Sequence, residues 1–127
     1  MLIDASILLY CVDASHPRQP RAAAFMPEAL NSPIRVAFPW QSLTAFVRIA
    51  TNHRASHSPL SGAQAWHYID DWLSAEPAWI PPTSSDTARI FGDLLATEEV
   101  TGNLVSDAAL AAIAIEHGIP VVTNDTD

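Results

Sequence analysis

The sequence predicts an α/β fold in which a short central parallel sheet lies between two layers of helices, a three-layer α/β/α sandwich. Three observations carry that expectation. Apolar runs of strand length recur at Leu2–Asp4, Arg35–Phe38, Ala78–Ile80 and Pro120–Thr123. Stretches with apolar residues at helical spacing separate each run from the next. Breaker residues stand at the junctions, among them Pro39, Pro81-Pro82 and Gly118. Strands that alternate with helices pair in parallel and are covered on both faces.

Size and composition suit this scheme. The chain has 127 residues, 49% of them hydrophobic and 16% charged, as expected of a single globular domain over 1–127 with a well-supplied core. No apolar run is long enough to span a membrane, and the N-terminus lacks the basic region of a signal peptide. The lone cysteine, Cys11, lies in an apolar stretch, where it reads as a small core residue of a cytoplasmic protein and not as a nucleophile. The net charge is −8, and all six basic residues are arginine. That balance argues against a broad basic face for nucleic acid, although a cluster of metal-binding carboxylates would weigh on the same count.

Taken in order, Leu2–Asp4 is the first strand and Ser6 to about Val12 a short helix. Pro17 and Pro20 suit the entry to a helix from about Arg18 to Leu30, with a kink or early break expected at Pro27. Arg35–Phe38 is a strand that Pro39 ends, and Trp40–Asn52 has its apolar residues at helical spacing. Ser61 is a candidate N-cap for a helix to Leu73. Ala78–Ile80 is a strand, and Ser84 or Ser85 caps a helix from about Asp86 to Glu98. Ser106 reads as the N-cap of a helix over Asp107–His117, with Gly118 beyond its end and Pro120–Thr123 the last strand.

Three aspartates recur at comparable places. Asp4 closes the first strand, Asp107 opens the helix after Leu104-Val105-Ser106, and Asp125 follows Val121-Val122-Thr123 with Asp127 two residues beyond. Strand ends and helix starts on one edge of a parallel sheet face the same side, where ligands of α/β sheets gather. Carboxylates brought together repel unless a cation lies between them. Oxygen ligands favour Mg²⁺ or Mn²⁺, which can lower the pKa of a bound water and stabilise charge on a phosphoryl oxygen. Each aspartate alone also has an ordinary reading: Asp4 an N-cap, Asp107 a first-turn acid, Asp125 and Asp127 solvated charges. Their common placement favours the site.

Three blocks then carry a resemblance: Met1-Leu2-Ile3-Asp4-Ala5-Ser6-Ile7-Leu8-Leu9-Tyr10, Asn103 to Ala114 around Asp107, and Glu116-His117-Gly118 followed by Val121-Val122-Thr123-Asn124-Asp125-Thr126-Asp127. Together they resemble the acidic blocks of PIN-domain ribonucleases, in particular the VapC-type toxins of toxin–antitoxin pairs. Pro39-Trp40 with Phe46-Val47-Arg48-Ile49-Ala50-Thr51 resembles one branch of that family. The resemblance implies a Mg²⁺- or Mn²⁺-dependent endoribonuclease acting on structured RNA, a cognate VapB-like antitoxin that places a basic side chain among the acids, and a homodimer. It implies Asp4, Asp107 and Asp125 as catalytic metal ligands, Asp127 as a further acid, and Ser6 and Thr123 as supporting groups behind them.

Two features depart from the pattern. The family's usual glutamate in the helix after the second strand falls at about Phe46, and no acid lies between Glu28 and Asp70. Gln41, Ser42 or Thr44 would have to serve there without charge. The sequence also stops at Asp127 where the family continues, which raises the expectation of a chain shortened beside its own site. A catalytically weakened PIN-like binding module is therefore one alternative. A phosphatase of the haloacid-dehalogenase kind or a receiver domain is a lesser one, because both use a lysine and this chain has none. The histidines at 16, 53, 57, 67 and 117 form no ligand pair and read as surface residues. Arg48 and Arg54 are candidates for contact with RNA phosphate or an antitoxin acid. Trp40, Trp66, Trp72 and Trp79 read as core and interface residues in preference to stacking platforms.

Overall fold

Alternation of side chains fixes the architecture. The computed structural model describes residues 1–55 and 58–122. Its strands are β1 (Leu2–Ile3), β2 (Val36–Ala37), β3 (Ala78–Trp79) and β4 (Val121–Val122), all parallel, in the order β3-β2-β1-β4. Ile3, Val36, Phe38, Ala78 and Val122 turn to one face; Leu2, Ala37 and Trp79 turn to the other. A strand buried on both faces must be apolar at successive positions, and Leu2, Ile3, Val36 and Ala37 are fully buried.

The helices divide between those faces. Helices α1 (Ala5–Val12), α2 (Gln19–Leu30), α3 (Trp40–Ala50) and α4 (Gly62–Leu73) cover the first face through Ile7, Leu8, Met26, Leu43, Phe46, Ile69 and Trp72. Phe46 meets Trp72 edge-on at 5.3 Å between ring centres, and Phe38 stacks on the same indole at 6.4 Å. Helix α6 (Leu104–His117) lays Leu110, Ile113 and Ala114 on Leu2 and Ala37 of the second face, and α5 (Ser85–Thr97) packs on α6. The three expected layers are present. No helix among the described residues is long and apolar enough to cross a membrane.

Local chemistry sets most helix ends. Ser61 caps α4 by a reciprocal pair: its hydroxyl accepts from the Gln64 backbone N–H at 3.1 Å, and the Gln64 side-chain Oε1 accepts from the Ser61 N–H at 2.8 Å. Ser84 and Thr87 do the same for α5. Gly118 ends α6 at φ +65°, a conformation that favours glycine. Two expectations are corrected. Helix α2 continues through Pro27 to Leu30, because Pro27 lies exposed in the last turn and its own carbonyl still accepts from the Asn31 N–H at 3.0 Å. Helix α6 begins at Leu104, so Ser106 lies inside it and Asn103 stands at the cap position.

Two half-buried side chains, Glu116 and Cys11, give this packing a test. Glu116, in the last turn of α6, accepts hydrogen bonds from the Ser84 and Thr87 hydroxyls at the start of α5. Those bonds, Ser84 first, hold its carboxyl below the ordinary carboxylate range. The folded state therefore binds this proton more weakly than the unfolded chain, and the stabilisation is present at neutral pH and lost as the pH falls through that range. Glu116→Gln is expected to lower the Tm at neutral pH and to match the native protein in acid; thermal melts at both pH values check it. Burial pushes the Cys11 thiol up to about 12, with its Sγ 3.5 Å from the Ala22 carbonyl. Cys11 should resist iodoacetamide in the folded protein and react on unfolding, as mass spectrometry would read.

Candidate active site at the sheet's carboxyl edge

The strand order places a switch point between β1 and β4. The chain passes from β1 to β2 and β3 on one side, then crosses to β4 on the other. The ends of two such strands diverge into a crevice. Asp4 sits on it: its N–H donates to the Val122 carbonyl at 3.1 Å, continuing the β1–β4 ladder by one residue. Asp4 occupies the N-cap position of α1 in extended backbone, yet its side chain makes no capping hydrogen bond to that helix. Instead it accepts the Ser6 hydroxyl, at 3.2 Å on Oδ2. The ordinary N-cap reading of Asp4 therefore loses its main support.

Asp107 reaches the same edge from the opposite layer. Leu110 of α6 packs in one cluster with Leu2 of β1. Asp107 precedes Leu110 by three residues and so lies on the same side of α6, one turn nearer the edge. Asp4 follows Leu2 by two residues in the same direction. Asp107 is exposed in the first turn of α6, where the helix dipole favours negative charge. Asp125, Asp127 and Thr123, with His57, lie outside the described residues.

Helix α3 supplies the third wall and corrects one expectation. Phe46 is fully buried in the core against Trp72, so no site position exists there. One turn nearer the edge on the same side of α3 stands Ser42. It is 1% exposed, and its hydroxyl oxygen has no hydrogen-bond partner among the described residues. Gln41 is exposed in the same turn, and the Thr44 hydroxyl is committed to the carbonyls of Trp40 and Gln41 at 3.1 and 3.2 Å. Of the three polar residues that the sequence offered in this helix, Gln41, Ser42 and Thr44, burial singles out Ser42.

Asp4 and Asp107 offer oxygen donors only, the kind that suit Mg²⁺ or Mn²⁺ over zinc or copper. No histidine or cysteine lies in the first turns of α1, α3 or α6. No group of three or more histidine, cysteine, aspartate or glutamate side chains gathers among the described residues, so a carboxylate beyond Val122 would have to complete a cage. The histidines that are described stand elsewhere; His117, for example, contacts the Pro82 carbonyl at 3.1 Å beside Trp79.

A match to the PIN domain spans residues 1–127. The chain belongs to the PIN-domain family. It is similar to ribonuclease VapC37 of Mycobacterium tuberculosis, 35% identical over 126 residues that cover 99% of this chain and 88% of the relative. Ribonuclease VapC33 of the same organism is 33% identical over 127 residues, covering 98% and 87%. Among solved structures, Mycobacterium tuberculosis VapC20, a toxin that cleaves the sarcin-ricin loop, superposes with a TM-score of 0.70 at 19% identity, covering 99% of this chain and 90% of that one. VapBC2 from Rickettsia felis, bound to a DNA fragment from its promoter, gives 0.69 at 18% identity over 98% and 86%. The last two likenesses establish the shared fold.

The placement of α3 has a direct test. Phe46→Glu buries an unpaired carboxylate and should cost on the order of 5 kcal/mol, enough to abolish cooperative unfolding. Gln41→Glu puts the same acid in an exposed first turn and should leave the Tm unchanged or slightly raised. Circular-dichroism melts of both variants would decide.

Proposed function

We propose that this chain is a metal-dependent endoribonuclease toxin of the VapC type, which hydrolyses RNA phosphodiester bonds in the cytoplasm, acts as a homodimer and is neutralised by a cognate VapB-like antitoxin. The reading is supported by Asp4 at the carboxyl end of β1, beside the switch point of a PIN-domain sheet, and by Asp107 in the first turn of α6, the helix that packs on the same strand. The similarity to ribonucleases named VapC supplies the reaction class.

Asp4 and Asp107, with Asp125 and Asp127 by their place in the sequence, would hold Mg²⁺ or Mn²⁺. When bound, the cation lowers the pKa of a coordinated water and stabilises charge on the phosphoryl oxygens. The chain's own groups do the positioning. Ser6 donates to Asp4 Oδ2 and fixes the rotamer of that carboxylate. The start of α6 presents Asp107 where negative charge is favoured. Thr123 stands in sequence beside the last acids as a second supporting hydroxyl. No acid stands in α3, where the family usually adds one, so metal affinity should be weaker than with that further carboxylate.

The lack of an acid in the first turn of α3 also favours a second reading, a PIN-like module that binds RNA and cleaves it poorly. One experiment separates the two. Native protein incubated with structured RNA and Mn²⁺ should cleave it, EDTA should stop cleavage, and Asp4→Asn should slow it at least about 100-fold. Equal cleavage by the variant, or none by the native protein, would count against the nuclease.

A further inference from the structure

We propose that Trp40 is a stacking platform that holds a base of the RNA beside the acidic edge, which makes it a substrate-positioning residue of the proposed nuclease. This rests on the nuclease reading. Register gives its place. Leu2 pairs with Ala37, so Asp4 is level with Pro39 and Trp40 follows one residue later at the start of α3. Neighbouring strands lie about 4.8 Å apart, so the indole springs from the rim next to the Asp4 strand.

Its environment sets Trp40 apart from the other tryptophans. Trp72 is buried between Phe38, Phe46 and Tyr68. Trp79 carries Arg35 over its ring at 4.1 Å and His117 at its edge. Trp40 is 58% exposed and has no aromatic or arginine partner among the described residues. Packing within this chain therefore does not explain a tryptophan here, where the sequence led to the expectation of a core or interface residue. Its backbone is nevertheless fixed: Pro39 before it is buried at φ −60°, and the Trp40 carbonyl accepts the Thr44 hydroxyl at 3.1 Å. A rigid, exposed π-face suits stacking.

Electrostatics gives the reason the site would need it. The edge is built from carboxylates that repel a polyanion, in a chain of net charge −8. None of the six arginines lies in the first turn of α1, α3 or α6; Arg35 precedes β2 and Arg48 ends α3, at the opposite edge. Without a cationic cradle, base stacking is a charge-independent way to hold a single-stranded segment. Leu104 and Val105, exposed in the first turn of α6, border the same edge with further apolar surface.

The test measures binding of a fluorescein-labelled hairpin RNA with an unpaired loop, by anisotropy in Mg²⁺, on an Asp4→Asn background that binds without cleaving. Trp40→Leu keeps apolar bulk and loses the π-face; it should weaken binding roughly tenfold, while Trp40→Phe stays within about threefold. In the cleaving protein Trp40→Leu should raise KM more than it lowers kcat. Trp66→Ala, 53% exposed on α4, should change neither and serves as the control. Unaltered binding by Trp40→Leu, or a change in sedimentation mass that marks Trp40 as a contact between copies, overturns the stacking role while native cleavage leaves the nuclease standing. Failure of the native protein both to bind and to cleave overturns the two together.

Discussion

The pairing of β1 with a strand on each side, Leu2 opposite Ala37 and Val121, sets where the carboxylates of this protein stand. A strand of only two residues holds that register because both are fully buried, Ile3 under α1 and α3 and Leu2 under α6. A slip by one residue would exchange the two faces and expose the whole set. With register fixed, Asp4 emerges at the switch point, Pro39 and Trp40 leave β2 at the same level, and α6 is clamped by Leu110 so that Asp107 overhangs the edge. The site is a consequence of core packing one residue beneath it.

The sequence announced the elements with little error, for physical reasons that differ by element. Apolar pairs followed by proline or glycine marked β2, β3 and the end of α6. Ser61 and Ser84 marked helix starts because a hydroxyl at that position satisfies an otherwise unpaired N–H. The misreadings also have causes. Pro27 removes the hydrogen bond its own nitrogen would donate and crowds the carbonyl one turn earlier, and α2 tolerates this in its last turn, with the residue exposed. Ser106 resembled a cap because serine before a run of alanine usually is one, but the turn at Thr101-Gly102-Asn103 starts α6 earlier. In the sequence, Asp4 and Asp107 were legible as acids at a strand end and a helix start, and the structure puts them at those places. That Phe46 belongs to the core was not legible, because an apolar residue at helical spacing does not reveal its burial. The exposure of Trp40 was hidden as well, since a tryptophan at helical spacing looks the same in sequence whether it faces core or solvent.

Charge links these observations. Acids gathered at one edge favour a divalent cation, and they also repel the backbone of a nucleic acid. In the proposed nuclease, a chain with six arginines and no lysine, none of them in the first turns at that edge, would resolve this conflict with bound metal and uncharged contacts. The Ser6 hydroxyl fits the same economy: it places a donor on Asp4 without adding repulsion. The far edge of the sheet shows the opposite arrangement, with Arg35 on Trp79 and Glu116 tied to Ser84 and Thr87. Charges there are held by neutral groups of the fold.

The central claim is that carboxylates from both layers share one divalent cation at the β1–β4 switch point. Diffraction from crystals soaked in Mn²⁺, with data collected for anomalous scattering at the manganese edge, tests it most directly. A strong anomalous peak coordinated by Asp4 and Asp107 together is the result this account predicts. Manganese bound by neither aspartate, or by one alone at an unrelated surface, would contradict it.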